Sequence, residues 1–145
     1  MGGNPNCLLI ALCVLLIPAC GGSDSGEEAA PAALPGCAKP AKTIPRPKAL
    51  PASLPVPGGT VFTQVEEPFA GQSVVSGVSP GNLENARSFY DDTLEDAGYR
   101  QGLGESESGE VEALFTGRGV RGGWRANAIP GCEGAVRLTL VVVRT

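Results

Sequence analysis

"PGNLENARSFYDDTLEDAGYR", residues 80–100, decides how the rest of the chain is read. Leu83, Ala86, Tyr90, Leu94 and Ala97 recur at spacings of three and four, which draws one apolar stripe down a helix. Asn82 is suited to cap its start, and Glu84 sits in the first turn against the positive dipole end. Gly98 suits the left-handed position just past the last turn. Together these signals predict one helix of about 15 residues.

Strand patterns surround that helix. TVFTQV (60–65) and SVVSGV (73–78) are rich in β-branched residues and separated by a turn containing Pro and Gly. After the helix come YRQGLGES (99–106), EVEALFTG (110–117) and GWRANAI (123–129), at hairpin spacing. In the second, Val111, Ala113 and Phe115 alternate with Glu110, Glu112 and Leu114. In the third, Trp124, Ala126 and Ala128 alternate with Arg125 and Asn127. The closing segment AVRLTLVVVRT (135–145) puts Val136, Leu138, Leu140 and Val142 on one side. Arg137, Thr139, Val141 and Val143 lie on the other, a mixed, partly apolar face that predicts a central strand or one covered on its second side. The pattern predicts an α+β fold: a single antiparallel sheet of about five to six strands in ββαββββ order, with the helix packed on one face.

This domain is expected over residues 58–145. Residues 20–57 read as an N-terminal tether and Pro-rich linker, because eight of the chain's 13 prolines fall between Pro31 and Pro57 and large apolar residues are sparse. Its basic residues Lys39, Lys42, Arg46 and Lys48 are expected to keep the linker solvated. A domain this small has room for one core.

The chain begins with an uncharged leader whose apolar run, Cys7 to Ile17, is eleven residues long. A membrane-spanning helix needs about 20, so the run has the length of a secretory signal's apolar region. Ile17-Pro18-Ala19-Cys20 follows. This resembles the lipobox of bacterial lipoproteins, in which cleavage before the cysteine leaves its thiol diacylated and its amine as the new N terminus. The resemblance implies a signal peptide over residues 1–19, lipidation (palmitate or similar) at Cys20, and residence on the extracytoplasmic face of the cell membrane. In a host with two membranes, the outer membrane or periplasm would serve instead. An ordinary signal peptide cut near Ala19, leaving a free protein, is the competing reading.

Export then settles the cysteines. Cys7 and Cys13 leave with the signal and Cys20 carries lipid, so Cys37 and Cys132 remain. Two thiols outside the cytoplasm pair as a rule. No CxxC spacing points to redox activity. The expected bridge pins the linker to one end of the sheet, with the stretch 38–57 held against the domain.

The chemistry is bounded by what is missing. There is no histidine in the chain, which removes Ser-His-Asp and Cys-His catalysis and the commonest metal ligand. No metal or cofactor is expected. Asp91, Asp92, Glu95 and Asp96 crowd one convex helix surface and read as a solvated face. Residues 58–145 carry 12 acids and seven arginines, a balance that argues against nucleic acid. The most distinctive cluster is Arg118, Arg121 and Arg125 with Trp124 in a Gly-rich hairpin, a candidate contact for an anion or a partner. Its alternative is cross-strand neutralisation by Glu105, Glu107, Glu110 and Glu112.

The order of turn, helix and meander, carried by Gly81-Asn82-Leu83, Phe89-Tyr90, Leu94 and Ala97-Gly98-Tyr99, resembles a loose class of small actinobacterial lipoproteins. The resemblance implies a fold and an address but no activity. The expectation is therefore a lipid-anchored, extracytoplasmic binding or accessory module of the cell envelope, non-catalytic, touching an envelope protein or polymer through the Thr139, Val141, Val143 face. The alternative is a small carboxylate-dependent envelope hydrolase.

Overall fold

Four two-residue turns, each ending in glycine, bend the C-terminal two-thirds of the chain into hairpins; a computed structural model describes residues 33–145. The leader and Cys20 lie outside the described residues. The strands are β1 (Val61–Phe69), β2 (Gln72–Pro80), β3 (Arg100–Glu107), β4 (Glu110–Gly117), β5 (Val120–Ile129) and β6 (Cys132–Arg144). They form one antiparallel six-stranded sheet in the order β1-β2-β6-β5-β4-β3. The expected element order and single sheet are both present, and β6 is central, between β2 and β5.

Helix α1 (Leu83–Thr93) joins β2 to the far edge strand β3. Asn82 accepts a hydrogen bond from the Asn85 N–H, and the Asn85 side chain accepts one from the Asn82 N–H. Two otherwise orphaned donors are thereby satisfied. The α-helix spans eleven residues, shorter than the stripe suggests, because the chain tightens beyond Thr93. The Gly98 N–H reaches the Glu95 carbonyl at 2.9 Å, and the Tyr99 N–H reaches that of Leu94 at 2.9 Å. Gly98 has φ +85, so this is a Schellman ending with glycine in its left-handed position.

The stripe is buried as its spacing demands. Ala86, Tyr90 and Leu94 are almost fully inaccessible, and α1 contacts β4 and β5. The Tyr90 ring stacks on the Trp124 indole, with centroids 4.5 Å apart and planes 18° from parallel. Burial pushes the Tyr90 hydroxyl's pKa well above its usual range, partly opposed by the charge of Arg46.

The segment read as a linker does more than pass by. Cys37 and Cys132 form the expected disulfide, with Cα atoms 5.7 Å apart and a sequence separation of 95. Beyond it, Ile44 pairs with Phe62 on the β1 edge. Leu50 and Leu54 are 4% and 1% exposed and belong to the same core cluster as Tyr90, Trp124 and Leu138. Ser53 and Tyr99 hydroxyls meet at 2.7 Å. Arg46, expected only to solvate this stretch, donates to the Pro51 and Leu54 carbonyls at 2.9 and 2.8 Å. The packed unit thus reaches N-terminal of residue 58, where composition alone drew its edge. Prolines lower the entropy lost on ordering the chain, and two leucines suffice to hold it down.

Among the described residues no helix is long and apolar enough to cross a membrane.

Candidate functional site: the open sheet face

Side chains directly opposite one another in an antiparallel sheet point to the same side, so the register fixes what each face presents. One face turns Val75, Val111, Ala113, Phe115, Trp124, Ala126, Leu138 and Leu140 into the core. The other carries four parallel rows across the strands. The middle row runs Glu66, Val74, Val141, Gly123, Leu114, apolar except at its β1 end. On one side of it lie Val143, Arg121, Thr116 and Arg100. On the other lie Thr139, Arg125, Glu112 and Glu105, followed by Arg137, Asn127, Glu110 and Glu107.

Val141, Gly123 and Leu114 of that row floor a broad, open depression of about 1020 Å³. Gly123 makes the low point. A Cβ there would stand 3.4 Å from the Leu114 Cδ2 and 3.3 Å from the Ala113 carbonyl, so Leu114 already leans over the space a larger residue would need. Two of the three exposed large apolar side chains among the described residues lie here. Phe69, Leu103 and Leu114 are 71%, 88% and 61% exposed. Leu103 and Leu114 line the depression. Phe69 joins the same face through its pairing with Gln72, which opposes Val143. Thr139, Val141 and Val143, expected to form the contact face, lie in the same depression.

Charge on this face is sorted. The row containing Arg121 and Arg100 has two cations and no acid, and neither arginine has an ion-pair partner among the described residues. Across the apolar row, Glu110 and Glu112 share the single Arg125. Its Nη2 lies 2.5 Å from Glu112 and its Nε 3.4 Å from Glu110. The hydrogen bond to Glu112, with that carboxylate's charge, raises the Arg125 pKa further. Asn127 also donates to Glu110. Glu105, directly opposite Glu112, is left without a cation.

The arginine hairpin therefore does not act as one cluster. Arg121 and Arg125 share the open face. Trp124, between them in sequence, points the other way into the core at 2% exposure, so it is no contact residue. Arg118 serves the helix end, its Nε donating to the Ala97 carbonyl at 2.5 Å. That bond holds Arg118 at φ 51, the sole non-glycine residue with positive φ among those described, as a two-residue turn of this handedness requires. The expected cross-strand neutralisation holds for Arg125 alone. Sequence reasoning missed Arg100 and Phe69, whose placement depends on bulges at Gln101/Gly104 and Glu66/Phe69.

Elsewhere, Asp91 is occupied by Gln101 at 2.6 Å and by Arg87 at 3.6 Å. No group of three or more potential metal-ligating side chains converges among the described residues. Compared with known proteins, the chain matches no family model, no curated protein and no solved structure.

Proposed function

We propose that this is a non-catalytic binding or accessory module of the cell envelope, held at the extracytoplasmic membrane face by lipid on Cys20 and engaging its partner through the open sheet face. One observation carries the contact surface: the exposed Leu103 and Leu114 line, with Val141 and Val143, an open depression on the side of the sheet that helix α1 leaves uncovered. Contiguous apolar surface rimmed by charge is the signature of an interaction site on a small domain. The address is supported by the short apolar run and the Ile17-Pro18-Ala19-Cys20 box. It is supported too by a disulfide, the bond of an oxidising compartment. Two or three acyl chains would hold such a domain stably where one would not.

Two measurements test the proposal. Intact-mass analysis of the chain from its natural host should give a polypeptide starting at Cys20 and carrying acyl groups; a bare thiol there, or a retained leader, refutes the anchor. Cross-linking in native membranes, followed by recovery of the chain, should yield a reproducible neighbour that is lost in Leu114→Asp. A neighbour recovered equally well with that variant refutes the contact face.

A further inference from the structure

We infer that the basic row of the open face is a binding site for a phosphate monoester carrying an apolar body. The inference deepens the reading of this face as a contact surface, and rests on it, but needs neither the lipid anchor nor a protein partner.

The site is set by register. Arg121 on β5 and Arg100 on β3 both pair with Thr116 on β4, so the three side chains stand in line on one side of three adjacent strands. Strands about 4.8 Å apart put the two arginine backbones roughly 10 Å from each other, with only the short threonine between them. All three line the depression, beside Leu103 and Leu114. Neither arginine has an ion-pair partner among the described residues. No acid lies within two positions of any of the three along its strand. Two exposed cations therefore face one gap, and an anion placed there is held from both sides. The Thr116 hydroxyl reaches only the Val120 carbonyl, at 3.5 Å. That is too long to hold it, so it can turn and donate to the same anion.

The chemistry of the gap selects the anion. A guanidinium fork matches two oxygens at once. Two forks closing from opposite sides need at least three oxygens on one centre, which a carboxylate lacks. A phosphate monoester has three, with one shared between the forks, and its charge of about −1.5 to −2 near neutral pH balances two arginines. A diester keeps only two free oxygens and a single charge. The monoester's fourth bond then leads away from the arginines. Leu114 lies two residues from Thr116 on the same side of β4, followed across the sheet by Gly123 and Val141, so an apolar body has a floor to lie on. Glu112 and Glu105 on the far border repel the head and fix its direction.

The test is isothermal titration of the full chain, in a non-ionic, phosphate-free detergent, with hexyl phosphate as the probe. Saturable binding of one equivalent is expected. Arg100→Gln and Arg121→Gln should each weaken it about tenfold or more. Arg137→Gln, which removes an exposed arginine elsewhere on this face, should leave it unchanged, and all three variants should be folded by circular dichroism. Dipropyl phosphate, equal in carbon but a diester, and inorganic phosphate, which has no apolar body, should each bind about fivefold or more weakly than hexyl phosphate. Absence of saturable binding, equal loss in all three variants, or equal affinity for the three probes overturns the inference. If hexyl phosphate does not bind yet Leu114→Asp still abolishes capture of the cross-linked neighbour, the inference alone falls. If that capture also survives Leu114→Asp, the contact reading falls with it.

Discussion

The two sides of the sheet are built from the same six strands and differ in what covers them. One side receives helix α1, the arm over residues 37–54 and the Tyr90–Trp124 stack. The other receives no covering element from the described residues, yet alternation places Val141, Val143, Val74 and Leu114 there beside arginines and glutamates. Strand periodicity alone dictates both faces. What separates them is that the first has its own covering sequence and the second has its charges sorted into opposing rows.

The contrast breaks most sharply at the covered side's centre. Trp124→Ala should cost about 3 to 5 kcal/mol in stability by chemical denaturation, through the cavity it leaves under Tyr90. Removing the bridge with Cys37→Ser should cost somewhat less, about 2 to 5 kcal/mol, and a reductant should shift the wild-type midpoint alike. Leu54→Ala should cost about 3 kcal/mol. A loss below about 0.5 kcal/mol, the range of surface substitutions, would show that the arm merely rests on the domain.

A gentler probe is alkali. Burial raises the Tyr90 pKa, so the folded state keeps its proton while the unfolded chain releases it above about pH 10. Stability is therefore complete below pH 10 and falls as pH rises beyond it. Tyr90→Phe should flatten that fall, and since the hydroxyl has no hydrogen-bond partner in the structure, it should cost little at neutral pH. The smallest expected effect is on the open side. Arg121→Ala should alter the denaturation midpoint by no more than about 0.5 kcal/mol. A larger loss would mean that this side, too, is structural.

What could be read from the sequence was what is local. Asn82, the Leu83-to-Ala97 stripe and Gly98 mark the helix within about one turn, because caps and periodicity act over neighbouring residues. The alternation in 123–129 already set Trp124 against Arg125; grouping them into one hairpin cluster ignored that a two-residue period separates them. Cys37 and Cys132 followed from elimination. The bridge already implied that the arm is held against the domain; what stayed hidden was the burial of Leu50 and Leu54, because prolines dilute them and the core they join is built by residues far along the chain. The sorted rows were illegible for another reason. They are a property of register, and register between β3 and β4 hinges on one bulge at Gln101/Gly104.

That bulge and its counterpart on β1 have a bearing on growth. An open sheet ends in two rows of unspent backbone donors and acceptors, which invite further strands and ultimately fibres. Here one border is kinked by irregular pairing and by glycines, and the other carries Pro68 and is partly occupied by Ile44. Both margins of the described sheet are therefore poor templates for a further strand, which guards the domain against edge-to-edge growth.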